Sequence, residues 1–355
     1  MPMPERHERM TNKIKRVALI GTGIMGAPIA GHVLDAGFDL TVHNRTPEKA
    51  RALVERGAHW ASSPAEAARD ADVVLTMVGY PSDVEDVYLA SDGIIRASRK
   101  GAYLIDLSTS AAELARDIHD ASEVEDKHAF DCPVTGGQAG AEAGTLTLFV
   151  GADEGTAAPV LPLLQCFSDK VFYFGRAGMG QTAKHCNQVS LASCMMGYAE
   201  AMALAEAAGL DERTMLEAVG SGMGGSVAMD MLAPKALAGD WKPGFMAEHL
   251  LKDLRLSLYE AEQMGISLPS TDTAFNLFDL LCQVDGSRLG TQALSLLYAE
   301  EEAGAAAGLD WSRAQPAHDE DGCDCEDGGC SCGHDHGDGE CGCGHGDGHG
   351  HHHHE

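Results

Sequence analysis

The chain has 355 residues, of which 44% are hydrophobic, so it is long enough for two core-bearing domains and has the composition of a globular protein. Its formal net charge is −29, and the eleven acidic residues that follow Pro316, where no lysine or arginine occurs, leave −18 for the rest. A surface this acidic repels nucleic acid and anionic membranes, so we expect neither as a partner.

The location of the protein is predicted from its apolar runs and its cysteines. No apolar run reaches the roughly 18 residues of a membrane span, and residues 1–15 lack the apolar centre of a signal peptide. Five cysteines lie in the body without a repeating spacing, as free thiols do in a reducing compartment. They are Cys132, Cys166, Cys186, Cys194 and Cys282. We therefore expect a cytoplasmic protein in which residues 1–14 form a disordered extension.

A glycine-rich turn follows the first apolar run. Val17 to Ile20 is succeeded by Gly21-Thr22-Gly23-Ile24-Met25-Gly26 and then by a stretch with helical spacing. In such a G-x-G-x-x-G turn the glycines allow a tight bend, close approach of a pyrophosphate and close packing of helix on strand. A bare G-x-G-x-x-G pattern is a weak signal, but the flanking strand and helix favour dinucleotide binding. We therefore assign Gly21, Gly23, Ile24, Met25 and Gly26 to a cofactor site.

Strand-like runs alternate with helical stretches over residues 15–177. The strand candidates are Arg16 to Ile20, Asp39 to His43, Val73 to Val78, Ala102 to Asp106, Ala129 to Cys132, Thr145 to Val150 and Val171 to Phe174. The helical stretches between them include Ala27 to Ala36, Pro47 to Arg56 and Ala111 to Glu123. This alternation is typical of an α/β fold with a doubly wound parallel sheet, so we predict a Rossmann-type NAD(P)-binding domain here.

The sequence pattern changes after Gly180, where strand-like runs stop. Gln181 to Ala208 is a long stretch rich in Ala, Met and Leu, and the sequence reads as helix as far as Ala307. Glycine clusters divide it into about six helices. We predict an all-helical C-terminal domain over residues 178–310, with the first helix linking the two domains.

The end of the second predicted strand bears on the choice of coenzyme. Folds that prefer NAD place an acid there, about 20 residues after the fingerprint, to bind the ribose 2′-hydroxyl. This chain has Asn44, Arg45 and Thr46 instead. Asn44 can hydrogen-bond without repelling a phosphate, while Arg45 and Thr46 supply a charge and a hydroxyl. We predict that NADP(H) is preferred and NAD(H) possible; the alternative is that Arg45 is only a solvated charge.

Three further motifs follow the fingerprint in order. They are Asp106-Leu107-Ser108-Thr109-Ser110, Asp131-Cys132-Pro133-Val134-Thr135-Gly136-Gly137, and the segment Gly178 to Gln188 with the pattern G-x-G-x-x-x-K-x-x-N. With these motifs the chain resembles the β-hydroxyacid dehydrogenase family, over about residues 15–305. The family includes 3-hydroxyisobutyrate dehydrogenases and the tartronate, glyoxylate and succinic semialdehyde reductases.

Lys184 is the candidate catalytic residue. Hydride transfer to a carbonyl leaves charge on oxygen, and a cation that can also donate a proton stabilises that charge. Asn187 and Gln188 follow Lys184 at i+3 and i+4, so on a helix they share its face and could orient the ammonium or hold the substrate oxygen. The resemblance implies the catalytic role of Lys184 directly.

The same resemblance implies where coenzyme and substrate bind. We place Val78, Ser108, Thr109 and Lys252 beside the coenzyme, although Lys252 could instead pair with Glu248 on a helix surface. Ser108 and the Thr135-Gly136-Gly137 element are assigned to the substrate, whose carboxylate a hydroxyl and two unhindered N–H groups could hold. Thr135 stands where most relatives have serine, and Gln188 where many have a second asparagine. Both differences bear on substrate specificity.

The last part of the chain is dense in cysteine, histidine, aspartate and glycine. This composition cannot build a core, so we predict residues 311–355 to be disordered without metal. Thiolates and imidazoles are ligands for zinc, nickel or copper. The candidate ligands are Cys323, Cys325, Cys330, Cys332, His334, His336, Cys341, Cys343 and His345. Metal buffering or delivery, an acidic solubilising tail, and terminal histidines added for purification remain open as explanations.

These observations favour an NADP-preferring dehydrogenase or reductase of a small hydroxy acid or semialdehyde. Its substrate is expected to carry a carboxylate, and the family's habit suggests a homodimer or homotetramer. One alternative is a non-catalytic nucleotide-binding protein on the same fold, against which the retention of Lys184 and Asn187 argues. The other is a metal-handling protein that acts through its tail.

Overall fold

The computed structural model describes residues 14–314. Nine strands lie in its first half. They are β1 Arg16–Ile20, β2 Asp39–His43, β3 His59–Trp60, β4 Val73–Thr76, β5 Tyr103–Asp106, β6 His128–Asp131, β7 Val134–Thr135, β8 Leu146–Val150 and β9 Ser168–Tyr173. Nine α-helices alternate with them. They are α1 Gly26–Asp35, α2 Arg51–Glu55, α3 Pro64–Ala68, α4 Pro81–Leu89, α5 Ile94–Ala97, α6 Ala112–Val124, α7 Gly137–Ala143, α8 Glu154–Ala157 and α9 Leu161–Leu164.

The main sheet is a parallel, doubly wound sheet, as predicted. Its strands are in the order β3-β2-β1-β4-β5-β6. Because successive side chains of a strand point to opposite faces, Val17 and Leu19 join the core on one face and Ala18 and Ile20 the core on the other. The strand order reverses between β1 and β4, and ligands of such sheets bind in the crevice beyond the carboxyl ends of the strands at that point.

A second, smaller sheet was not predicted. The strands β7, β8 and β9 form it, with β7 antiparallel and β9 parallel to β8, so the last two predicted strands do not extend the main sheet. The segment that separates β7 from β8 contains the helix α7. Strand β7 has only two residues, and a pattern of period two cannot be recognised over so short a length.

The remainder of the described chain is helical, as predicted. Six α-helices follow β9: α10 Met179–Ala207, α11 Glu212–Gly220, α12 Val227–Leu237, α13 Ala247–Gln263, α14 Pro269–Gln283 and α15 Glu301–Ala306. They enclose a core of their own that includes Met195, Tyr198, Phe278 and Leu294. Met195 is fully buried, in keeping with ordinary core packing.

Residues 311–314, which the sequence assigned to the disordered tail, are among the described residues. Trp311–Arg313 forms a 3-10 turn, and Trp311 and Ala314 pack against the core of the helical part. The Trp311 indole lies against Gly304, where an added Cβ would be 3.0 Å from the indole nitrogen. Within residues 14–314, no helix has both the length and the apolar character needed to cross a bilayer.

Candidate active site

The fingerprint turn has the geometry that a dinucleotide needs. Gly21 has φ of +98°, and a Cβ there would lie 2.1 Å from the Met77 carbonyl oxygen. A Cβ on Gly26 would lie 1.8 Å from the Gly21 carbonyl oxygen, so both positions require glycine. A Cβ on Gly23, by contrast, would meet no atom within 4 Å. The middle glycine therefore leaves its side of the turn open to a pyrophosphate, and the turn fits the coenzyme.

The side chains around this turn support the same site. Ile24 is exposed and Met25 half-buried at the start of α1. Asn44 accepts a hydrogen bond from the Thr22 N–H at 3.0 Å and donates to the Thr46 carbonyl at 2.9 Å. Asn44 thus ties the fingerprint turn to the segment that follows β2, which is a structural role that the sequence did not reveal.

Arg45 extends into solvent but has a partner. Its side chain is 85% exposed, and Nη1 lies 2.9 Å from Oδ1 of Asp83, a residue of α4. An exposed ion pair of this kind is weak. The guanidinium can therefore leave Asp83 at little cost.

A buried carboxylate shapes the loop after β5. Oδ1 of Asp106 accepts hydrogen bonds from the Thr76 hydroxyl at 2.8 Å and the Ser108 N–H at 3.0 Å. Burial raises the pKa of Asp106 to about 6, against these hydrogen bonds, which lower it. The Ser108 hydroxyl in turn accepts from the Val78 N–H at 2.9 Å. Val78 and Ser108, both assigned to the coenzyme, are thus joined where β4 and β5 end.

Side chains of the helical part hold the same loop from the other side. Nε2 of Gln181 donates to the Ser108 carbonyl at 2.8 Å, and Oε1 of Gln181 accepts from the Ser110 N–H at 2.9 Å. Nζ of Lys252 donates to the Thr109 carbonyl at 2.6 Å. Lys252 therefore contacts the loop after β5 rather than pairing with Glu248 along the surface of α13.

Lys184 lies in the second turn of α10 and is buried. Burial lowers its pKa to about 8, because the charged ammonium is disfavoured away from water. The carboxylate of Asp253 opposes this shift, and the charge of Lys252 adds to it. An amine with this pKa exchanges protons readily near neutral pH, as a general acid and base must.

The amides of Asn187 and Gln188 belong to a network that also includes Asp253. Gln188 is buried, and its Oε1 accepts from Nδ2 of Asn187 at 2.8 Å while its Nε2 donates to Oδ2 of Asp253 at 2.6 Å. Each end of the Gln188 amide thus has a partner within the protein, and this network orients Asn187. Asp253 also forms an ion pair with Lys252, with Nζ and Oδ1 2.8 Å apart.

Asp131 positions the helix that carries Lys184. It ends β6, and its carboxylate accepts hydrogen bonds from the N–H groups of Gly178 and Gln181, both at 2.7 Å. A Cβ on Gly180 would lie 2.8 Å from this carboxylate, so the helix approaches it because glycine is there. The sequence motifs contain Asp131 and Gln181 but assign no role to them or to Asp253. Their partners lie far away in the chain, and no sequence signal names them.

The proposed substrate element lies apart from these contacts. Thr135 ends β7 and is half-buried, while Gly136 and Gly137 are exposed, with φ of +128° and +60°, where α7 begins. None of the hydrogen bonds described above for Ser108, Lys252, Asn187 and Gln188 involves these three residues. A Cβ on Gly136 would be 3.1 Å from the side chain of Leu146, so this turn packs on β8.

The predicted metal ligands of the tail lie outside the described residues. Within residues 14–314, no group of three or more His, Cys, Asp or Glu side chains is arranged to hold a metal ion. The five cysteines of the body are free thiols, and Cys132 is buried.

Comparison with known proteins agrees with this geometry. A family model for the NAD binding domain of 6-phosphogluconate dehydrogenase matches residues 16–175, and one for NAD-binding of NADP-dependent 3-hydroxyisobutyrate dehydrogenase matches residues 178–298. The chain is 41% identical over 282 residues to a probable 3-hydroxyisobutyrate dehydrogenase-like protein of Arabidopsis thaliana, covering 79% of this chain and 84% of that one. It is 38% identical over 275 residues to an NAD-dependent L-serine dehydrogenase of Pseudomonas aeruginosa, covering 76% and 92%.

A solved structure has the same architecture. The 3-hydroxyisobutyrate dehydrogenase of Mycobacterium tuberculosis, determined with L-serine, matches with a TM-score of 0.73 and 30% identity. The match covers 80% of this chain and 99% of that chain, so it includes both the sheet and the helices that surround Lys184.

Proposed function

Because the chain belongs to the β-hydroxyacid dehydrogenase family and is an NAD(P)-dependent hydroxyacid dehydrogenase, we propose that Lys184 is its general acid and base. One observation carries this proposal. Lys184 is a buried amine on α10 with a pKa lowered to about 8, on the same helix whose Gln181 holds the loop assigned to the coenzyme. A cation in this position stabilises charge that develops on a substrate oxygen.

The residues of the chain have separate tasks in this reaction. Bound NAD(P) would supply or accept the hydride. Lys184 donates its proton to the carbonyl oxygen during reduction and takes it back from the hydroxyl during oxidation. Gln188 fixes the amide of Asn187 beside the amine, and Asp253 fixes Gln188. Burial of Lys184 and Asp253 excludes water and strengthens their interaction.

We assign a small carboxylate-bearing aldehyde or hydroxy acid as substrate. The names of the relatives support this class, since one acts on L-serine and others are 3-hydroxyisobutyrate dehydrogenases. The Ser108 hydroxyl, the Thr135 hydroxyl and the exposed N–H groups of Gly136 and Gly137 would hold the carboxylate. The hydrogen bonds around Lys184 do not include Thr135. The substrate itself would therefore connect the Thr135 element with Lys184.

We also propose that NADP(H) is preferred over NAD(H). The side chain at the end of β2 is the uncharged amide of Asn44, which accepts a hydrogen bond from the Thr22 N–H. Arg45 and Thr46 are exposed beside it. The relatives differ on this point, because one family model is named for an NADP-dependent enzyme and one relative for NAD dependence. The choice therefore depends on this chain's own residues.

Three further properties are proposals of the same kind. The free thiols of the body fit a cytoplasmic location. The exposed apolar side chains Leu204, Leu210, Val227 and Met231 of the helical part fit a homodimer or homotetramer. The cysteines and histidines of the tail fit the binding of zinc, nickel or copper.

Lys184→Ala tests the catalytic proposal. With a panel of small hydroxy acids and semialdehydes, we expect the variant to lose about 10²- to 10⁴-fold in kcat, the usual contribution of a general acid, while coenzyme affinity changes less than about twofold. Lys170→Ala removes an exposed lysine from β9 and is the matched control. Turnover by Lys184→Ala at the level of this control would reject the role.

The pH dependence of the unmodified enzyme is a second test of Lys184 as the general acid and base. Reduction needs the ammonium, so kcat/KM should be constant below pH 8 and fall above it; oxidation needs the neutral amine, so kcat/KM should rise with pH and level off above about pH 8. Opposite profiles in the two directions, measured with one substrate pair, are the expected result. Parallel profiles would contradict the assignment.

A further inference from the structure

A second titratable residue lies directly beside Lys184, and the reaction described above does not use it. His185 is 4% exposed. Its Nδ1 forms a short hydrogen bond with Oε2 of Glu260 on α13, and its Nε2 lies 3.1 Å from the Ser110 carbonyl oxygen. The imidazole therefore connects α10, α13 and the loop after β5.

Both of these partners are hydrogen-bond acceptors. A carbonyl oxygen cannot donate, and an ionised carboxylate accepts only. A neutral imidazole has one N–H and one lone pair, so it would direct a lone pair at one of the two oxygens. Only the doubly protonated imidazolium donates to both Glu260 and Ser110 at once.

The surroundings of Glu260 favour its ionised form. The Thr182 hydroxyl forms a short hydrogen bond with Oε1, and the charge of Arg116 on α6 is nearby. Burial raises the pKa of Glu260, but the hydrogen bonds from His185 and Thr182 and the charges of His185 and Arg116 outweigh it, so the pKa is lowered. A carboxylate that stays charged beside His185 stabilises the imidazolium.

The contact with Ser110 completes a pattern. Three successive carbonyls of the loop accept hydrogen bonds from three side chains of the helical part: Ser108 from Gln181, Thr109 from Lys252 and Ser110 from His185. Lys252 is a charged donor, and His185 would be a second one as an imidazolium; charge-assisted hydrogen bonds are about twice as strong as neutral ones.

We propose that His185 is a positioning residue which, held as an imidazolium by Glu260, fixes the loop Ser108 to Ser110 against the helix that carries Lys184. Glu260 acts through His185 and touches neither substrate nor coenzyme. The kinetic part of this proposal rests on the proposed function, whereas the protonation state of His185 does not.

Nitrogen NMR tests the protonation state without any substrate. The full chain is labelled with ¹⁵N-histidine, and the signals of His185 among the 17 histidines are identified by their loss in His185→Gln. At pH 7.5 we expect both ring nitrogens of His185 to carry protons, and Glu260→Gln to convert the ring to a neutral tautomer. A neutral His185 in the unmodified protein would overturn the proposal, even if the enzyme is fully active.

Kinetics test the positioning role. Glu260→Gln keeps the size of the side chain but removes its charge. The new NH₂ group can donate to Nδ1 of a neutral imidazole, so Nε2–H still donates to Ser110, but this hydrogen bond is no longer charge-assisted. We expect kcat to fall about tenfold, the effect of losing one charge-assisted hydrogen bond, and KM for the hydroxy acid to change less than about threefold.

Glu262→Gln is the matched control, because it makes the same change at an exposed position on the same helix. The melting temperatures of the two variants should agree within about 3 °C, which separates positioning from a general loss of stability. Equal kcat in the Glu260 and Glu262 variants would overturn the positioning role. If the unmodified enzyme turned over no hydroxy acid, the proposed function would fail, and the NMR result would still decide the state of His185.

Discussion

At the scale of single residues, the proposed preference for NADP(H) is tested at Arg45. Its exposed guanidinium pairs with Asp83, and a 2′-phosphate offers two charges where Asp83 offers one, so the phosphate can displace it. We expect Arg45→Ala to lower kcat/KM for NADPH about tenfold and to change that for NADH less than about twofold. The measurement is the ratio of the two values with one substrate.

Arg51→Ala is the control for this substitution. Arg51 is also exposed and pairs within α2 with Glu55, so its loss changes the net charge equally without removing a group at the end of β2. A coenzyme ratio that is the same in both variants would refute the assignment of Arg45 to the phosphate.

Single residues differ in how far the sequence could assign them. The glycines of the fingerprint and Lys184 were identified because their chemistry is local: a turn needs glycines at fixed spacing, and an isolated lysine after a glycine pair stands out on a helix. The contact of Gln188 with Asp253 could not be foreseen, because Asp253 lies 65 positions further along the chain. Spacing along one helix cannot show that an amide is already occupied by another helix.

At the scale of elements, the position of α10 depends on one buried carboxylate. Asp131 accepts two N–H groups from the first turn of this 29-residue helix, and burial raises its pKa while those hydrogen bonds oppose the shift. We expect Asp131→Asn to cost about 1–3 kcal/mol in the free energy of unfolding, because its NH₂ group must face one of two N–H donors. Since Lys184 is on this helix, kcat should fall as well. Thermal melting and steady-state kinetics measure the two effects.

Asp153 offers a comparison for this prediction. It caps α8 through the Thr156 N–H at 3.0 Å, but on an exposed helix of four residues. Asp153→Asn should therefore cost less than about 1 kcal/mol and leave turnover unchanged. If the two substitutions had the same effect on kcat, Asp131 would not be the residue that places the catalytic helix.

The elements themselves were largely predictable, and the exceptions have physical causes. Apolar runs predicted the main sheet, and the change of sequence pattern after Gly180 predicted the helical part. The two-residue strands β3 and β7 carry too little pattern to be recognised. The division of β8 and β9 into a second sheet depends on pairing between distant segments, which no local pattern encodes.

At the scale of the whole molecule, Trp311 anchors the last described residues to the helical part. Its indole packs against Gly304, and Arg313 pairs with Asp285, so the described chain ends in contact with the helical core. Removal of residues 315–355 should therefore leave the melting temperature and kcat unchanged, and should abolish binding of zinc or nickel measured by calorimetry. A chelator should likewise leave turnover unchanged. A strict metal requirement for hydride transfer would count against the dehydrogenase mechanism proposed here.

A shorter chain that ends at Asp310 provides the contrast. It loses Trp311 together with the ion pair of Arg313, whereas Leu309 and α15 remain. Loss of a half-buried indole costs about 1–2 kcal/mol, which corresponds to a fall in melting temperature of roughly 2–4 °C for a body of this size. Because these four residues contain no metal ligand of the tail, the loss of stability and the loss of metal binding should appear in different truncations. Equal melting temperatures for the two truncated chains would show that the core is complete without the indole.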